Sequence, residues 1–362
     1  MTQKLICVVG ATGNQGGSVV QRFLQDPRFR VRGLTRDKTS AAAQKLAEQG
    51  VELVNADLDD VESLKAAFRG ANVIFSVTNY WESFFRPDCR QKAEEQGVSC
   101  RKYAYDVEYQ QGKNIADAAA ATVETLDANG FLASTLSHAT KCSKGAFKEV
   151  YHHDAKADIF PYYIQEKYPE LAAKASYIQT GYFYTSYRLV PDSYFVKVLQ
   201  AHPYYRSFIM AADPNNPSPL QLPDGTFQMQ FATNPDKPQP QLAVNEDMGN
   251  FTYAVHQMPP GKHYMAAGTV CTWPEWIQTW AGVTGATASY KQVTPEEMVA
   301  GSADREFGIE VTAMFCYSSD PGYDGGMDLL YAEDLRKAGI DCPMTDLKTW
   351  LARQDWAAVL AK

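Results

Sequence analysis

Basic charge is what this chain of 362 residues has little of: 34 Lys and Arg stand against 42 Asp and Glu, a formal net charge of −8. An extended nucleic-acid surface needs clustered cations, so no direct contact with DNA or RNA is expected, and any such link would run through a protein partner. The seven cysteines are odd in number and include no C-x-x-C pair. That excludes a zinc knuckle and argues against a disulfide framework, in keeping with a reducing compartment. No apolar run reaches membrane-spanning length and no signal segment is evident ahead of the first strand-like run, so no membrane partner and a cytoplasmic location are expected. Hydrophobic residues make up 45%, enough for one large α/β domain and a smaller second unit.

What the chain does have is a glycine turn in the right place. Leu5 to Val9 reads as a buried strand, Gly10, Gly13 and Gly16 follow, and Val19, Val20, Phe23 and Leu24 give the apolar stripe of a helix. Dinucleotides bind at such turns: the first glycine allows the tight turn, the second lets backbone approach a pyrophosphate, and the third lets helix pack on strand. The helix aims free N–H groups and its positive end at the phosphates. At the end of the second strand, Arg30 to Arg36, NAD-specific folds place an acid on the ribose hydroxyls; here Arg36 stands about twenty residues after the last motif glycine. With Lys38 it favours the 2′-phosphate of NADP(H), although Asp37 intervenes.

Strand-like and helical stretches then alternate: Val51 to Asp57, Val61 to Phe68, Ala71 to Thr78, a helix through Val107, Gln111, Ile115 and Ala118, and Phe131 to Ser137. This predicts a doubly wound parallel sheet of Rossmann type. Its ligands lie beyond the carboxyl ends of the strands, which points to Thr78, Asn79, Tyr80, Ser137 and His138. Past residue 180 the texture changes. Aromatics crowd Tyr182, Phe183, Tyr184, Tyr187, Tyr194 and Phe195, and prolines follow at 214, 217, 219, 223, 235, 238 and 240. We read 1–180 as the dinucleotide-binding domain and 181–362 as a smaller substrate or partner region, partly interleaved with it. Trp273, Trp276 and Trp280, at i, i+3 and i+7, mark the buried face of one helix.

Taken together, Gly10-Ala-Thr-Gly-Asn-Gln-Gly16, Thr35-Arg36, Val77-Thr-Asn-Tyr-Trp-Glu82, Gln111-Gly-Lys-Asn-Ile-Ala-Asp117, His152-His-Asp-Ala-Lys156 and Thr180-Gly-Tyr-Phe183 resemble the NmrA-like branch of the atypical short-chain dehydrogenases. The resemblance spans most of the chain. It implies NADP(H) with the turn of Gly10, Thr12, Gly13, Asn14, Gln15 and Gly16 on the pyrophosphate, and Arg36 and Lys38 near the 2′-phosphate. It further implies Asp57 and Leu58 near the adenine, Thr78, Asn79 and Tyr80 along the ribose, and Lys156 near the nicotinamide ribose. Members include reductases of fungal and plant secondary metabolism and others that look like cofactor-sensing regulators acting through proteins.

Two departures stand out. The segment 83–102 is longer than the family usually carries and would form a lid or partner surface. Short-chain dehydrogenases also keep a tyrosine four residues before the lysine, so that the ammonium lowers the phenol pKa; this chain has His152 there and Tyr151 one residue earlier. His152 is therefore a candidate proton donor, and Ser137 a candidate for orienting a substrate carbonyl. The run His152-His153-Asp154 is not expected to bind metal, because adjacent helical side chains diverge by about 100°. Two readings follow: an NADPH-dependent reductase of a C=O or C=N bond in an aromatic or polycyclic molecule, or a non-catalytic NADP(H) sensor with a protein partner.

Overall fold

The computed structural model describes residues 3–194 and 226–360; Phe195 and the prolines at 214, 217, 219 and 223 lie outside these. Among the described residues twelve strands run in order: β1 Lys4–Val8, β2 Phe29–Thr35, β3 Glu52–Asn55, β4 Val73–Ser76, β5 Phe131–Thr135, β6 Ala175–Thr180, β7 Tyr182–Phe183, β8 Phe227–Phe231, β9 Gln239–Leu242, β10 His263–Ala266, β11 Thr269–Cys271 and β12 Ala288–Gln292. Seven of them form one sheet in the order β10-β6-β5-β4-β1-β2-β3, every neighbour parallel. The order reverses between β1 and β4, which places the ligand crevice of a doubly wound sheet at their carboxyl ends.

Side-chain alternation explains the layers. Ile6 and Val8 of β1 join Val19, Phe23, Met248 and Phe251 in one core, while Leu5, Cys7 and Val9 face Leu64, Phe68, Ile115 and Ala119 in another. A strand buried on both faces is apolar at every position, as β1 is after Lys4. On the first face the Asn14–Leu24 helix packs against Val244–His256, where the Gly249 amide donates to Ser18 Oγ at 2.8 Å. That helix and β10 both come from beyond residue 180, so the C-terminal half contributes a strand and a covering helix to the nucleotide-binding sheet.

The rest of the C-terminal half builds a separate core beside the sheet. β11, β9 and β7 form a three-stranded sheet and β12 pairs with β8. The Trp273–Thr284 helix opens on a capping box from Thr272 and Glu275, and Trp273, Trp276 and Trp280 are fully buried. Tyr182, Tyr184, Tyr187 and Tyr194 pack into the same cluster. The aromatics that crowd this stretch of the sequence thus serve as core.

Candidate functional site

The glycine turn is built as the sequence predicts. Gly10 sits at φ +63°, a region L side chains avoid, and a Cβ on Gly16 would overlap the Gly10 carbonyl. Gly13 is the N-cap of the Asn14–Leu24 helix, with no side-chain cap and no acid in its first turn. Gly10, Thr12, Gly13 and Asn14 are exposed, so the helix offers its unpaired N–H groups outward. Gln15 holds a buried Oε1 with no partner.

Around this turn the expected residues are unevenly placed. Arg36 is exposed but ion-paired with Glu82, on the Tyr80–Phe85 helix after β4. Lys38 is exposed, and Asp37 is turned onto Thr39, accepting from its amide at 2.8 Å and its hydroxyl at 2.5 Å. Asp57 is exposed, with Oδ1 accepting from the Asp59 amide. The Leu58 carbonyl accepts from Asn114 at 2.7 Å. Thr78 is buried, Asn79 exposed, and Tyr80 buried, its hydroxyl donating to the Arg101 carbonyl at 3.0 Å.

Segment 83–102 is helical, ending the Tyr80–Phe85 helix, forming Pro87–Glu95 and opening the long Cys100–Ala120 helix. The last carries Glu108, fully buried, onto Lys156 of the Tyr151–Ala157 helix. Glu108 Oε1 pairs with Lys156 Nζ and its Oε2 has no partner. An ammonium beside an unsatisfied carboxylate oxygen offers donor and acceptor together, a set that suits the hydroxyls of a ribose.

His152 is buried, with Nδ1 2.6 Å from Glu310 Oε1 and Nε2 3.3 Å from Met314 Sδ. Burial, then the Lys156 charge, pushes its pKa down to about 3, and burial raises Glu310 to about 8. Burial thus works against the charged form of each, and with it against the imidazolium that would serve as the stronger proton donor. His138 is the opposite case. Burial opposes its charge, but Asp154 at 2.9 Å and Asp158 at 3.1 Å outweigh it and raise its pKa to about 9. Ser137 Oγ donates to the Tyr323 carbonyl and accepts from the Tyr317 hydroxyl, each at 2.9 Å. Among the described residues no group of three or more His, Cys, Asp or Glu is placed to hold a metal ion, and no helix is long and apolar enough to cross a membrane.

The glycine turn thus lies at the switch point of a parallel sheet. The model of the NmrA-like family matches residues 2–351. This chain belongs to the NmrA-like family. It is 27% identical over 328 residues to the NmrA-like family domain-containing oxidoreductase ptmS of Penicillium ochrochloron, covering 88% of this chain and 84% of that protein. A match of 48% identity to the oxidoreductase hkm9 of Aspergillus hancockii spans 86 residues, 24% of this chain and only 26% of that protein. Among solved structures, the negative transcriptional regulator NmrA in complex with NADP superposes with a TM-score of 0.64 at 19% identity, over 98% of this chain and 95% of that one. The Citrobacter sp. triphenylmethane reductase complexed with NADP(H) gives 0.59 at 17% identity, over 96% and 99%. These likenesses establish the NmrA-like Rossmann fold.

Sequence reasoning missed Glu82, Glu108, Glu310 and Tyr317. Glu82 closes the Val77–Glu82 motif, and Glu108 left a trace as an acid one turn before Gly112 in a helix that turns its small residues inward. The others reach the site from elements whose placement no local pattern encodes.

Proposed function

We propose that this NmrA-like protein is an NADPH-dependent reductase acting on a C=O or C=N bond of an aromatic or polycyclic small molecule. The observation that carries the reading is the uncapped, acid-free helix N-terminus at the glycine turn, together with the buried Lys156–Glu108 pair on helices of the same half of the chain. A pyrophosphate suits the first, and the hydroxyls of a nicotinamide ribose suit the second. Arg36 and Lys38 are the cations that favour a 2′-phosphate, with Glu82 as competitor for the guanidinium. The bound nicotinamide would supply hydride; the protein's share is to bind, orient and exclude water. Ser137 orients the substrate oxygen. Reduction of an iminium requires no acid at all, which accommodates a neutral His152.

The relatives support an oxidoreductase, since ptmS and hkm9 bear that name, and the neighbours solved with NADP or NADP(H) support the cofactor. A second reading, an NADP(H) sensor working through a protein partner, is favoured by the histidine in the tyrosine's place and by Phe85, 47% exposed on the inserted segment. Following NADPH absorbance with aromatic ketones, quinones and cyclic imines separates the two. Turnover establishes the reductase; no turnover, with cofactor protecting residues 83–102 from proteolysis, would favour the sensor.

A further inference from the structure

The Tyr151–Ala157 helix lacks a tyrosine one turn before Lys156, yet a phenol stands beside Ser137 all the same. Tyr317, the last residue of the Arg305–Tyr317 helix, donates its hydroxyl to Ser137 Oγ at 2.9 Å. His153, which shares a helix face with Lys156 at i, i+3, sets its ring against Tyr317 with centroids 5.6 Å apart. Ser137 in turn gives its own proton to a peptide carbonyl, that of Tyr323, at 2.9 Å. We propose that Ser137 and Tyr317 form the seat for the oxygen of a planar aromatic carbonyl substrate, with Tyr317 as proton donor, and that the turn 321–326 is a plug whose Tyr323 carbonyl occupies that seat until substrate displaces it. The proposal rests on the reductase reading.

Three features of the turn support it. Its backbone lies directly on the pair: a Cβ on Gly325 would come within 2.8 Å of the Tyr317 hydroxyl and 2.9 Å of Ser137 Cβ, and Gly325 sits at φ +74°. With the turn in place Ser137 and Tyr317 are 1% and 0% exposed, so no substrate reaches them unless it moves. Its side chain fills the space a flat molecule would need. The Tyr323 ring lies between Tyr182, at 4.3 Å, and His153, at 5.2 Å, so removing it leaves an aromatic-walled slot beside the two hydroxyls. Burial also raises the Tyr317 pKa and keeps the phenol protonated, as a donor must be.

The step balances simply. A bound reduced nicotinamide would supply hydride to the substrate carbon; the Tyr317 O–H bond breaks as an O–H bond forms on the substrate oxygen, and water entering past the displaced turn reprotonates the phenolate.

The test uses the full chain with 9,10-phenanthrenequinone as a planar dicarbonyl probe. Hydrogen exchange is read with NADP+ present, so that no turnover occurs. The quinone should speed exchange of the amides of residues 322–327 several-fold in the unaltered protein and leave it unchanged in Ser137→Ala. With NADPH, Tyr317→Phe should lower kcat for the quinone by about 100-fold while NADPH affinity, measured by calorimetry, stays the same. Exchange that ignores the quinone, or a Tyr317→Phe rate within threefold of the unaltered protein, overturns the proposal. Quinone reduction with no response of the turn rejects the plug and leaves the reductase reading intact. A Ser137-dependent response without reduction leaves a quinone-binding seat but overturns Tyr317 as proton donor, together with reduction of this probe. Should Ser137→Ala fail to fold, the exchange arm is read on Tyr317→Phe.

Discussion

Arg36 and Glu82 pose the sharpest question of a single residue, because the guanidinium that favours a 2′-phosphate is already spoken for. Their side chains are 63% and 37% exposed, so the pair adds little to stability, about 0–1 kcal/mol, and a phosphate can replace the carboxylate at small cost. NADPH is expected to bind more tightly than NADH. Arg36→Ala should narrow that gap by about 1.5–3 kcal/mol, and Glu82→Gln should widen it several-fold by freeing Arg36. Calorimetric titration of both cofactors checks this; equal affinities in the unaltered protein would reject the assignment.

Lys156 is a different kind of pair. Glu108 has no exposure, and removing one partner of a buried ion pair typically costs about 3–5 kcal/mol. Lys156→Met should therefore destabilise strongly, and adding Glu108→Gln should restore most of the loss in urea denaturation. If the single and double variants unfold at the same urea concentration, Glu108 does not depend on Lys156. Cofactor binding by Lys156 is then best judged in the double variant, where folding is no longer the confounding effect.

At the scale of the element, the Trp273–Thr284 helix separates burial from capping. Trp280 lies wholly within the C-terminal core, and Trp280→Ala should cost about 3–5 kcal/mol through the cavity it leaves. Thr272→Ala, which removes the hydroxyl from the capping box, should cost about 1 kcal/mol. Chemical denaturation distinguishes the two, and equal losses would mean that the helix is held by its end rather than its face. This helix was legible in the sequence down to its inward stripe, because three tryptophans at i, i+3 and i+7 leave one face little choice. The inserted segment was not. Its short helices have weak amphipathic patterning, and its anchors lie far along the chain: the buried Arg101 is bonded to Glu149 and Glu306 at 2.9 Å each, and Arg90 pairs with Asp304.

For the whole molecule, pH acts through the histidines. His138 has its pKa raised from an ordinary 6.5 to about 9 by Asp154 and Asp158 against the cost of burial. Its contribution is therefore full below about pH 6.5 and is lost as pH climbs through 9, at most about 3 kcal/mol. His138→Gln should lower Tm below pH 6.5 and converge on the unaltered protein near pH 9. A difference that grew with pH would reverse the sign of the argument.

The sequence by itself determined the Rossmann half and its cofactor turn, because these follow from short-range rules. A strand buried on both faces must be continuously apolar, and a turn that passes a pyrophosphate has no room for side chains at Gly13 and Gly16. It also carried the family, in motifs spread from Gly10 to Phe183. The tertiary structure alone decided which groups meet at the strand ends. Lys156 finds Glu108 48 residues away, His152 finds Glu310 across 158, and Ser137 finds Tyr317 across 180. Each is a pairing between a strand end or helix of the first half and an element whose approach is set by core packing. Packing is a property of the assembled surfaces, so no local pattern around His152 could reveal that its nitrogens were already engaged, or that a phenol from another helix stood beside Ser137.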